Sequence, residues 1–167
     1  IKYDFGPENT VVVSPDVGGV KRARGLAKWL HTPLAIIDKR RQKANECEVM
    51  NIIGDVKGKK VILVDDMIDT AGTICNAAKV LIERGAVKVY ACATHAVFSG
   101  PAIERLKESV FEKVVVTDSI YLSEERRFDK LRILSASEIF AETIKRIATS
   151  KAISDLFEMP VESVEKK

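Results

Sequence analysis

No stretch of this sequence approaches the roughly 20 consecutive apolar residues that a membrane-spanning helix requires. Its first ten residues, IKYDFGPENT, do not form a basic-then-apolar secretory leader. They also lack an initiator methionine, which fits a chain that begins within a longer protein. No GxxxxGK[ST] loop occurs, which excludes a Walker-type nucleotide site, and no GxGxxG occurs, which excludes a dinucleotide fingerprint. Cysteine is scarce: Cys47, Cys75 and Cys92 are odd in number and have no metal-ligand spacing. Isolated cysteines of this kind fit free thiols in a reducing cytoplasm. Neither sign of charge dominates, since 27 Lys+Arg against 24 Asp+Glu leave +3. That excess is too mild to argue for a nucleic-acid partner. There is no internal repeat and no low-complexity tract.

What is present is a soluble, globular composition, 46% hydrophobic and 31% charged over 167 residues. That length suits one domain with a sizeable core. Apolar patches alternate between two periods. Short runs at 11–14, 34–37, 60–64, 87–94, 114–117 and 131–134 read as strands. Helical spacing covers 19–30, where Val20, Ala23, Leu26, Ala27 and Leu30 share a face, and also 72–84, which Gly85 stops. A helix opens at Ser99-Gly100-Pro101 and runs to about Ser109. Another covers 137–149 with Ser137 as its N-cap. Strand and helix alternating with short joints predict a parallel, doubly wound α/β sheet. Residues 1–10 read as a linker, 11–158 as the domain and 159–167 as a frayed, charged tail.

The most informative stretch is Val61-Ile62-Leu63-Val64-Asp65-Asp66-Met67-Ile68-Asp69-Thr70-Ala71-Gly72-Thr73. Four apolar residues suit a strand buried on both faces. The spacing predicts that the strand ends at Asp65 and Asp66, the end at which open α/β sheets bind ligands. A small, hydroxyl-rich loop, Asp69 to Thr73, then opens a helix. It offers backbone N–H groups, Thr hydroxyls and a positive helix end to an anion. Together these make a ribose-phosphate cradle, with N–H groups for a phosphate and carboxylates for sugar hydroxyls or a bound Mg²⁺.

Two further segments carry chemistry. Ser14-Pro15-Asp16-Val17-Gly18-Gly19 also ends a strand and opens a helix, with Lys21, Arg22 and Arg24 following; alone it reads equally as a plain tight turn. Asp38-Lys39-Arg40-Arg41-Gln42-Lys43 is the densest positive charge, predicted to lie in a polar loop over 39–46. Alone it reads more simply as a solvated loop, and functionally as an arm that closes over a polyphosphate. His31 ends a helix on the surface. His95, just past a strand, reads as a packing or hydrogen-bonding residue. Cys75, in the first turn of the phosphate-loop helix where a thiol pKa can be lowered, reads as a small packing residue.

The central stretch resembles the phosphoribosyl-diphosphate motif of type I phosphoribosyltransferases. VVVSPDVGGVKRAR at 11–24, AIIDKRRQKANE at 35–46, EVMNIIGDVKGKKVILVDDMIDTAGT at 48–73 and THAVFSGPAIERL at 94–106 are similar, in order and spacing, to the ribose-phosphate pyrophosphokinases. Members of that family are about twice as long, with two similar domains, and the resemblance implies that this chain is the second half. It implies a type I phosphoribosyltransferase-like fold, a central mostly parallel sheet flanked by helices. It implies transfer of the diphosphoryl group of MgATP to the anomeric hydroxyl of ribose 5-phosphate. It also implies Mg²⁺ as cofactor and a homo-oligomer, from dimer to hexamer, in the cytoplasm.

Position by position, the resemblance makes Asp16 a metal ligand and Lys39 and Arg41 catalytic, with Arg41 also on the 5-phosphate. Asp65 becomes the sugar-binding carboxylate, and Asp69, Thr70, Ala71, Gly72 and Thr73 the 5-phosphate loop. Asp66 is left with three roles: orienting the anomeric hydroxyl, activating it, or binding metal through water. The sequence departs from many relatives at Gln42, often Pro, and at Lys43, often Arg. The family's metal-binding His belongs to the other half. Ser154–Phe157 resembles a segment associated with nucleotide regulation, but Ala152 stands where some relatives have Ser, and no site is assigned there. Two alternatives remain: a type I phosphoribosyltransferase that consumes phosphoribosyl diphosphate, and a non-catalytic relative that joins the synthetase oligomer.

Overall fold

The computed structural model describes residues 5–40 and 49–157, which fall into two compact units, Ile1–Leu134 and Ser135–Lys167. The first is built on seven strands: β1 (Thr10–Ser14), β2 (Leu34–Arg40), β3 (Val49–Ile53), β4 (Lys60–Ile68), β5 (Lys88–Ala96), β6 (Phe111–Thr117) and β7 (Leu131–Leu134). They lie in the order β3-β2-β1-β4-β5-β6-β7. All pairings are parallel except β2 with β3. This is the expected architecture, a mostly parallel sheet with helices on its faces.

The side-chain alternation of the strands explains the layers. Val11, Val13, Val61, Leu63, Val89 and Ala91 point into the larger core. There they meet Ile74, Ala77, Ala78 and Leu81 of helix α2 (Gly72–Glu83) and Leu106 of α3 (Ala102–Glu108). Val12, Ile62 and Val64 point the other way, onto Ala23 and Ala27 of α1 (Val20–Leu30). Central strands buried on both faces need unbroken apolar runs, which is what VVV and VILV supply.

β1 has β2 on one side and β4 on the other. The chain therefore leaves β1 in one direction through α1 and returns in the other through β4. The crevice at the carboxyl ends of β1 and β4 is the topological switch point, where open α/β sheets take ligands.

Several sequence expectations need correction. β4 does not end at the acidic pair. It runs on to Ile68, because β5 is long enough to pair with it as far as Asp65↔Ala93, Met67↔His95 and Ile68↔Ala96. Asp65 and Asp66 are thus strand residues. β2 likewise does not stop at Ile37. It continues through Lys39 to Arg40 because the unforeseen β3 pairs antiparallel with it, Asp38↔Asn51, Lys39↔Met50 and Arg40↔Val49. Residues 39 and 40 of the loop expected at 39–46 are thus strand residues, and 41–48 lie outside the described residues. β6 begins three residues early, at Phe111, a buried side chain.

The second unit holds α4 (Ser137–Ala148) and a short 3-10 helix, Ser154–Phe157. Ser137 is not the N-cap; Ala136 holds that position, and the Ser137 N–H donates to Ser135 Oγ at 3.3 Å. Arg146 gathers this unit. Its Nε donates to Glu142 Oε1 at 2.9 Å, and its Nη1 donates to the Ala152 carbonyl at 2.9 Å and Asp155 Oδ2 at 3.3 Å.

Candidate functional site

Two strand–turn–helix junctions meet at the switch point. In the first, between β1 and α1, Ser14 Oγ donates to the Asp16 carbonyl and the Gly19 N–H donates to Asp16 Oδ1, both at 2.7 Å. The turn is closed by its own side chains. Gly19 has to be glycine: a Cβ there would lie 2.8 Å from Ser14 Oγ, and Ser14 is fully buried. Asp16 Oδ2 has no protein hydrogen-bond partner among the described residues.

The second junction follows β4. Asp65 Oδ1 accepts the Asp66 N–H at 2.9 Å, and Asp66 Oδ1 accepts the Met67 N–H at 2.8 Å. Arg22 of α1 spans both carboxylates, with Nη1 at 3.3 Å from Asp65 Oδ1 and Nη2 at 3.1 Å from Asp66 Oδ2. Asp65 Oδ2 is therefore the oxygen of the pair with no protein donor among the described residues. Burial pushes the Asp65 carboxyl above its ordinary range, and the charges of Asp66 and Asp16 push the same way. Burial also opposes ionisation of Asp66, but hydrogen bonding with Asp65, the charge of Arg22 and the backbone N–H bonds outweigh it and hold that carboxyl low. Adjacent carboxylates pushed apart in this way give one strong anion beside one proton-sharing neighbour.

Past β4 the chain turns sharply. The Ile68 carbonyl accepts the Phe98 N–H at 3.0 Å and the Asp69 carbonyl the Ser99 N–H at 3.1 Å, so the segment after β5 fastens the loop at its start. Ala71 precedes α2 in the left-handed conformation, φ 60° and ψ 0°. For an L residue that conformation costs roughly 1–2 kcal/mol. Asp69, Thr70 and Thr73 are exposed and Ala71 is buried. From α3, Arg105 Nη1 donates to the Thr70 carbonyl at 2.9 Å. The loop and the first turn of α2 leave N–H groups free for an anion, beside the positive end of the helix.

Asp16, Asp65, Asp66 and the loop 69–73 thus share one crevice. Lys39 is placed by its backbone alone, in β2 opposite Met50, and Arg41 lies outside the described residues. Arg22 and Arg105 were not identified as site residues from the sequence. They act over 43 and 35 residues, and only the packing of α1 and α3 on the sheet reveals them. Cys75 is buried in the larger core, the packing role expected of it, and that burial outweighs the helix end and raises its pKa. His95 Nδ1 lies 2.9 Å from Ser119 Oγ, a hydrogen-bonding role as expected.

Among the described residues no cluster of three or more His, Cys, Asp or Glu side chains is arranged to hold a metal. A cation here would take one carboxylate oxygen from the protein and the rest from phosphates and water, which is the habit of Mg²⁺. The open Oδ2 of Asp16 fits that requirement.

The family model described as the phosphoribosyl synthetase-associated domain matches residues 40–158. A ribose-phosphate pyrophosphokinase of Caldanaerobacter subterraneus subsp. tengcongensis is 62% identical over 150 residues, which are 90% of this chain and 48% of that protein. One from Fusobacterium nucleatum subsp. nucleatum is 59% identical over 153 residues, 92% of this chain and 48% of the relative. The crystal structure of phosphoribosylpyrophosphate synthetase from Mycobacterium smegmatis superposes with a TM-score of 0.78 at 43% identity, covering 85% of this chain and 46% of that one. The chain spans about half the length of the curated relatives it matches.

Proposed function

The chain belongs to the phosphoribosyl synthetase-associated domain family, and from that premise we propose that it forms the ribose 5-phosphate side of a ribose-phosphate pyrophosphokinase. In the proposed reaction the anomeric oxygen of ribose 5-phosphate attacks the β-phosphorus of ATP. A new O–P bond forms, the bond from that phosphorus to the α–β bridging oxygen breaks, and AMP leaves with the electron pair. The hydroxyl proton passes to solvent or to a nearby base. The products are 5-phosphoribosyl 1-diphosphate and AMP.

The observation that carries this reading is the pairing, at one switch point, of a carboxylate oxygen without a protein donor on a central strand with an anion loop four residues further on. Asp65 Oδ2 accepts a ring hydroxyl. Asp69 to Thr73 enclose the 5-phosphate, which the end of α2 favours by about 0.3–1 kcal/mol. Asp66 is engaged by Met67 and Arg22, so its part is to orient. Mg²⁺, bound at Asp16, would offset the charge of the polyphosphate. Lys39 and Arg41 are assigned to the transferred group, where fixed cations stabilise charge that develops in the transition state.

A ³¹P NMR time course with ATP, Mg²⁺ and ribose 5-phosphate tests the proposal. Growth of AMP and phosphoribosyl diphosphate lines is the full result. A ribose 5-phosphate line that shifts without turnover is the result for the sugar-phosphate half alone. An unperturbed line refutes the proposed function.

A further inference from the structure

We propose that Arg105 is a positioning residue for the phosphate loop: its guanidinium holds the Thr70 carbonyl and so keeps the following left-handed turn in its anion-binding form. The inference rests on the proposed function and adds to it a residue outside the loop motif.

Three observations converge on it. Arg105 Nη1 donates to the Thr70 carbonyl at 2.9 Å, fixing the peptide plane that leads into Ala71. Ala71 sits at φ 60°, a conformation that persists at a non-glycine residue only when its surroundings over-determine it. An added Cβ on Gly72 would lie 3.2 Å from Arg105 Nη1. Gly72 is not at positive φ, so its lack of a side chain serves a different end, clearing the path along which the guanidinium reaches Thr70.

The arm is itself anchored. Leu106 and Ala102 of α3 are fully buried, and Cys75 Sγ of α2 lies 3.7 Å from the Arg105 carbonyl. Arg105 thereby ties α3 to the entrance of α2. A carbonyl engaged by a guanidinium points away from the anion, leaving the N–H groups of the turn to face it. A loop held in that form before binding does not have to be ordered by the ligand, and this pre-organisation raises affinity without a direct contact.

The test is calorimetric titration of the whole chain with ribose 5-phosphate, for the wild type, Arg105→Leu, Ala71→Gly and the double variant. Arg105→Leu is expected to weaken binding about tenfold, equivalent to about 1.4 kcal/mol. Glycine adopts the left-handed conformation without a brace, so adding Ala71→Gly to Arg105→Leu is expected to restore affinity to within about threefold of Ala71→Gly alone. Restoration of that kind is not available to a residue that acts through its charge on the phosphate or through general stability. Binding by Arg105→Leu within twofold of wild type would overturn the inference, as would a double variant no better than Arg105→Leu. Absence of binding by the wild type would instead overturn the proposed function, and this inference with it.

Discussion

The turns that follow β1 and β4 do the same job by different means. Both take the chain from a buried strand to a helix N-terminus at the switch point. The first is braced from within: Asp16 and Ser14 close it over two or three residues. The second is braced from outside, by Phe98 and Ser99 at its start and by Arg105 at Thr70. A turn that braces itself keeps its shape wherever its own residues are intact. A turn braced by neighbours depends on the packing of α3, and its shape can be altered without touching the turn.

Four experiments press on that difference. Gly19→Ala should cost the most stability, about 1–3 kcal/mol by urea unfolding, because the new Cβ meets the buried Ser14 hydroxyl at 2.8 Å and that hydroxyl is held by its bond to the Asp16 carbonyl. A loss under about 0.5 kcal/mol would show that the inner brace yields. Asp16→Ala removes the acceptor of the Gly19 N–H and should cost about 1 kcal/mol. Asp16→Asn should recover most of that stability, since an amide oxygen still accepts, while weakening the Mg²⁺ binding proposed for Asp16. Equal loss in both would contradict a cap that needs only an acceptor.

Gly72→Ala should change stability by less than about 0.5 kcal/mol, because alanine suits a helix and the crowded atom is a side-chain end, Arg105 Nη1, that can shift by a few tenths of an ångström at the expense of its bond to Thr70. Its effect should fall on ribose 5-phosphate affinity instead. A large stability loss with unchanged affinity would reverse the comparison.

The smallest effect is in pH dependence. The folded chain raises the pKa of Asp65, so it binds that proton more tightly than the unfolded chain. Stability must then fall as pH rises from the ordinary carboxylate value through the raised one. Asp66 has the opposite sign: its contribution is present above the ordinary value and is lost as pH falls through the lowered one. Asp65→Asn should flatten the upper of these two windows in urea unfolding measured across acidic pH. An upper window of unchanged slope would remove Asp65 as its source.

The same contrast between inner and outer bracing decides what was legible in the sequence. The self-braced turn could be read from SPDVGG, because its carboxylate, hydroxyl and glycines lie within six residues of one another. The apolar runs VVV and VILV announced central strands, and Gly85, at φ 91°, ends α2 as expected. What was not legible depends on partners distant in sequence. VMNII carries no clear alternation and is a strand only because β2 lies beside it. The acidic pair reads as the strand's end, with the turn directly after it, but β5 supplies a ladder that carries β4 on through Met67 and Ile68. Arg105 sits among Glu104, Lys107 and Glu108 on an ordinary charged helix, and nothing in its neighbours marks it as the one that reaches Thr70. For Lys39 the sequence supplied a charge and the structure a strand position opposite Met50.

The extension of β4 to Ile68 gives the two halves of the proposed sugar-phosphate site different clocks. Amides within a central strand exchange with deuterium only when the domain opens as a whole, whereas those of an exposed turn exchange through small local openings. The carboxylate end of the crevice therefore reports global stability, and the loop a few residues later reports its own. An anion that settles on the loop should slow exchange at residues 69–71 far more than at Asp65. The step between the two rates would mark where rigid sheet gives way to a part that a ligand can still set.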